Sequence, residues 1–128
     1  MEIEGVSALP EEKQHSLDPA VNSVCHSVHL KLNGELDREK LMQLLKKVRL
    51  TVPGLIELHF GANDMNAYPK KTESPDGNTH ALFSRHQNAH YLKAYQQHPA
   101  QLELANFLFS KAERLPTVID FVNIKSNL

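Results

Sequence analysis

The stretch VCHSVHLKL, residues 24–32, alternates without a break. In an extended chain Val24, His26, Val28, Leu30 and Leu32 fall on one face, and Cys25, Ser27, His29 and Lys31 fall on the other. Such a strand must bury one face, so neighbouring segments must supply a cover. The next segment does so. Asp37 is placed to cap the helix REKLMQLLKKVRLTV, in which Leu41, Leu44, Leu45, Val48 and Val52 recur at helical spacing. Lys46, Lys47 and Arg49 sit late in that helix, where they suit its dipole and are expected to be solvated. Pro53-Gly54 ends the helix.

Alternation then returns. LIELHFG places Ile56, Leu58 and Phe60 opposite Glu57 and His59, and THALFSRH places His80 with Leu82 and opposite Ala81 and Phe83. Asn88 is a cap for the short helix AHYLKAYQQH. Pro99 suits the first turn of a further helix, where its missing amide costs nothing, so His98 becomes the joint between the two. This last helix is expected to reach about Leu115 and to offer Leu104, Ala105, Leu108, Phe109 and Ala112 for burial. PTVIDFVNI closes the chain as a fourth strand.

The order β-α-β-β-α-α-β predicts an α+β, ferredoxin-like plan: a four-stranded antiparallel sheet with its helices on one face. The domain is read as residues 23–125. Residues 1–22, polar and proline-punctuated, are read as a flexible N-terminal arm. The uncovered sheet face carries Cys25, Ser27, His29, Lys31, Glu57 and His59, a surface too large and too apolar in part to leave wet. Pairing with a second copy is the natural remedy, so a homodimer is expected.

Fourteen basic and fifteen acidic residues balance to a net charge of −1, with no basic stripe, which argues against nucleic acid as a partner. No apolar run approaches membrane-spanning length, and the acidic start MEIEGVSALPEEKQHSLDPA lacks the apolar core of a secretory signal. Cys25 is the sole cysteine, which excludes an intrachain disulfide and fits a reducing, cytoplasmic setting. Mid-strand and without an evident base, it reads as a packing residue rather than a nucleophile. The eight histidines do not converge: His26 and His29 point to opposite faces, and His86 and His90 straddle a strand-to-helix corner. Neither a metal nor a cofactor is expected. Lys70-Lys71 reads as part of a solvated loop rather than a phosphate site.

Taken in order, VCHSVHLKL, a helix ending in PGL, then THALF, AYQQHPAQ and VIDF resemble the stress-responsive dimeric α/β barrel family over about residues 22–124. The resemblance implies a ferredoxin-like subunit whose sheet pairs with its twin to close a barrel, and a pocket between helices and sheet. The family includes plant heat- and salt-induced stable proteins and a polyketide cyclase that performs aldol chemistry. By that resemblance His26 matches the first-strand pocket histidine, His80 the third-strand histidine, and Tyr95 the tyrosine that binds or polarises a carbonyl. His98 matches the histidine of the family's HPAH segment. The last residue of that segment is the cyclase's catalytic base, and here it is Gln101, which cannot take up a proton near neutral pH. His80 or His26 would then have to serve as base, with Tyr95 as acid or polariser. His86 stands where the family usually has a core aromatic, and the connection from Gly61 to Thr79 is a few residues longer than usual.

Three functions follow as expectations. The first is a homodimeric protein binding a small organic ligand through His26, His80, Tyr95, His98 and Gln101. The second is a cofactor-independent lyase or cyclase using His80 and Tyr95. The third is a dimeric barrel monooxygenase, against which the HPA segment argues. Beside all three stands a structural alternative, in which His26, His80 and Tyr95 form a buried hydrogen-bonded cluster that fixes the helices on the sheet, and His98 merely caps its helix.

Overall fold

The computed structural model describes residues 23–74 and 76–123. The expected arm, residues 1–22, and the last two residues of the expected domain lie outside them. The elements are β1 (Val24–Leu30), α1 (Arg38–Thr51), β2 (Leu55–Ala62), β3 (His80–His86), α2 (Ala89–Gln97), α3 (Pro99–Phe109) and β4 (Thr117–Val122). The strands form one antiparallel sheet in the order β2-β3-β1-β4. This is the ferredoxin-like α+β arrangement expected from the sequence.

Local chemistry fixes the starts of α1 and α2 where the sequence placed them. Asp37 accepts from the amide of Lys40 at 3.1 Å, and Asn88 accepts from that of Tyr91 at 3.2 Å. Leu44, Leu45 and Val48 of α1 are buried against the sheet, each side chain contributing about 1.5–3 kcal/mol of burial. Arg49 is exposed, as expected, and also donates to the carbonyl of Leu58 at 2.8 Å. After α1 the chain reverses at Gly54, whose φ of +74° needs glycine, and whose carbonyl accepts from the amide of Gln87. The ring of Tyr91 packs directly on that glycine.

Two expectations change. β2 carries a bulge between Leu55 and Glu57, so Ile56 is the extra residue and not part of a clean apolar row. The last helix stops at Phe109 rather than near Leu115. Beyond it, the carbonyl of Lys111 accepts from the amide of Asn33, the amide of Glu113 donates to the carbonyl of Lys31, and Leu32 bridges Ala112. That pairing with the end of β1 extends the backbone and ends the helix. Phe109 is exposed in consequence.

The register sets out the helix-facing side of the sheet as a grid. His26 lies between Ser84 and Asp120, Val28 between Leu82 and Val118, and Leu30 beside His80. Phe60 pairs with Leu82, and Ala62 with His80. The core is built on this grid from Val28, Leu30, Leu58 and Leu82 beneath Leu44, Val48, Leu104 and Leu108. On the opposite face Glu57 and Arg85 form an ion pair at 2.5 Å, and Arg85 donates to the buried thiol of Cys25 at 3.1 Å. Burial raises the Cys25 pKa, which suits a packing thiol.

Candidate functional site

Between β1, β4 and α3 lies a cavity of about 220 Å³. Val28, Leu30, Leu82 and Leu108 form its apolar wall, and Phe109, Pro116 and Val118 stand on the β4 side. Its polar groups are few: His26, Gln101 and, exposed, Gln96. His26 is only 6% exposed and its Nδ1 lies 2.5 Å from Oδ1 of Asp120 on the neighbouring strand. A carboxylate only accepts, so in the neutral ring Nδ1 carries the proton and Nε2 is left as a lone pair. No hydrogen bond from a described residue reaches that Nε2. Gln101 has a buried Oε1 without a partner.

Behind His26 the polar groups continue inward. The ring of Tyr95, fully buried, meets His26 edge-on with centroids 5.9 Å apart and lies 4.5 Å from the ring of His86. Burial pushes the Tyr95 phenol up to about 12, with Ser84 acting weakly the other way, so it remains a hydroxyl. The buried imidazole of His86 is held down to about 4 by desolvation, with nearby His26 adding to the effect. It is therefore neutral at physiological pH, and its Nε2 lies 2.8 Å from Ser84 Oγ. With Nε2–H donating to Ser84, only a lone pair remains at the unbonded Nδ1, the less costly atom to bury unpaired.

The residues singled out in the sequence are thus divided. His26 and Gln101 line the cavity together, and Tyr95 backs His26 without lining the wall. His98 caps α3, its Nδ1 accepting from the amide of Ala100 at 3.1 Å, and is not part of the wall. His80 lies elsewhere. It opens on a larger groove of about 750 Å³ between α1 and β2, with Phe60, Leu41 and Leu45 in its walls and Arg38 at the start of α1. There it stacks on Phe60 at 5.3 Å, its Nδ1 lies 2.7 Å from Thr79 Oγ1, and partial burial lowers its pKa. Among the described residues no three His, Cys, Asp or Glu side chains converge to hold a metal, and no helix is long and apolar enough to cross a membrane.

Asp120 and Ser84 were not singled out from the sequence. The available signal was an acid amid apolar residues in VIDF, but its partner is 94 positions away. His86 stood out only as a departure from an aromatic.

Residues 24–123 match the family model described as "Stress responsive A/B Barrel Domain". No curated protein matches the sequence. Among solved structures, a hydroxynitrile lyase from Passiflora edulis superposes with a TM-score of 0.65 at 19% identity, covering 82% of this chain and 96% of its own. A dimeric ferredoxin-like protein of unknown function from Thermobifida fusca gives 0.60 at 17%, covering 79% and 91%. A cofactor-independent oxygenase from Streptomyces nogalater gives 0.58 at 11%, covering 84% and 98%. At these identities the likeness is one of fold.

Proposed function

The chain belongs to the stress-responsive A/B barrel domain family, and from that premise we propose that it is a cytoplasmic homodimer that binds a small organic ligand between α3 and the sheet. The observation that carries this reading is the pairing of His26 with Asp120 on the wall of a largely apolar cavity that Gln101, its buried Oε1 without a partner, also lines. Apolar walls with a few fixed polar groups are what ligand sites are made of. A volume of about 220 Å³ falls below the roughly 300–1,000 Å³ of sites for drug-sized molecules, so the ligand is compact. Its apolar part faces Val28 and Leu108, and its polar group meets His26 Nε2 and the amide of Gln101. The test is a thermal-shift panel of small aldehydes, ketones, acids and phenols. A true ligand at a hundredfold excess over its Kd stabilises by about 2.7 kcal/mol, which raises Tm by several degrees. That gain should vanish in Gln101→Leu and His26→Leu. A panel that moves Tm for no compound sinks the reading.

A second reading is favoured by one observation, the carboxylate behind His26. An imidazole so held presents a proton-accepting Nε2 in fixed orientation, as general base catalysis requires. Lyase or cyclase chemistry without a cofactor would then run through His26, with Tyr95 supporting it from behind. Of the pair suggested by the family resemblance, His80 opens on the groove while Tyr95 is buried behind His26 and lines neither space, so the two would have to act apart. If turnover of a small β-hydroxy carbonyl compound is found and survives His26→Ala undiminished, His26 is not the base. Oxygen uptake with an aromatic substrate would point to the monooxygenase reading instead.

A further inference from the structure

The helix-facing side of the sheet carries two histidines, and each opens on its own space: His26 on the small cavity, His80 on the large groove. Between the two histidines the register sets the row of Val28 and Leu82. Leu30 lies directly opposite His80 across the β1–β3 pair, and Leu82 lies two residues along β3 from His80 and opposite Phe60. Both leucines also line the small cavity from its inner side, and both are buried, at 1% and 3% exposure. Side chains directly opposed on one sheet face stand about 4.5–5.5 Å apart at Cβ, so Leu30 on the cavity wall is a direct neighbour of His80 on the groove wall.

Resting on the ligand-pocket reading above, we propose that Leu30 and Leu82 are the specificity-determining residues of this site: they form the wall that limits ligand length, and removing either joins the cavity to the His80 groove. The site as built takes a short apolar molecule carrying one polar group for His26 and Gln101. An elongated chain of the same class is refused because its tail meets Leu30 and Leu82. Past that wall the groove is already suited to a tail, since Phe60, Leu41 and Leu45 line it.

Straight-chain methyl ketones from butanone to dodecanone are the probe, titrated into the full chain by calorimetry and by amide and imidazole NMR spectra. In the wild type, affinity rises by about fourfold for each added methylene and then falls at least tenfold once the tail reaches the wall. In Leu82→Ala the rise continues to the longest ketone, and its binding shifts the His80 ring signals, which butanone leaves unmoved in the wild type. Leu82→Val and Leu30→Val remove less volume, keep the core should the alanine variant fail to fold, and move the length limit in the same direction by a smaller step. Ala105→Met, which fills the small cavity from α3, abolishes binding of the short ketones. Affinity that rises unbroken to dodecanone in the wild type, or a length limit unchanged in every leucine variant, overturns the wall while leaving the pocket reading in place. No binding of any ketone by the wild type overturns both.

Discussion

His86 is wholly buried and its imidazole is held down to about 4. Between 6.5 and that value the unfolded chain binds a proton that the folded chain refuses, so acid favours unfolding. The stability at stake is complete above pH 6.5 and is lost as the pH falls to about 4, by about 3 kcal/mol at 1.4 kcal/mol per unit. His86→Phe should remove this dependence, with denaturant midpoints at about pH 7 and about pH 5 drawing together. A variant with the same acid slope as the wild type would place the titrating group elsewhere. His26, by contrast, has Asp120 at its Nδ1. On one sheet face, then, one imidazole meets a carboxylate and the other meets Ser84 and the Tyr95 ring.

At the scale of elements, the connections hold the helices and strands in place. Gly54 has φ +74°, and a Cβ there would lie 2.3 Å from Cγ of Tyr91. Gly54→Ala is expected to cost about 3 kcal/mol, from the left-handed backbone and the clash together, and calorimetric Tm measures it directly. His98 ends α2 and caps α3. His98→Ala should lose about 1 kcal/mol and His98→Asn should restore most of it, with ligand affinity unchanged in both. A large loss of affinity in His98→Asn would return that residue to the site. These features were legible in the sequence: Asn88, Asp37, Pro99 and Gly54 act on neighbours within a few residues. The end of α3 was not legible, because it is set by the pairing of residues 111–113 with 31–33, a contact that periodicity does not record.

For the whole molecule, the uncovered face of the sheet is the dominant surface. Ile119 and Phe121 of β4 lie on it opposite Ser27 and Cys25, exposed at 57% and 44%, beside the stacked rings of His59 and Phe83. If two copies pair through this face, Ile119→Glu buries an unpaired charge and the dimer dissociates. Sedimentation should then find twice the chain mass for the wild type and the single chain for the variant. A wild type that sediments as the single chain at micromolar concentration would remove the dimer. The sequence by itself determined the order of elements, the caps, the covered and uncovered faces of β1, and the family. All of these rest on residue spacing and on chemistry between near neighbours in the chain. Only the tertiary structure decided which of the candidate residues meet. The register of β4 against β1 brings Asp120 to His26, the row of Val28 and Leu82 stands between His26 and His80, and Tyr95 packs edge-on behind His26 without lining the cavity. Alternation tells which face a side chain is on. It does not tell which row it shares, and the row decides which groups meet.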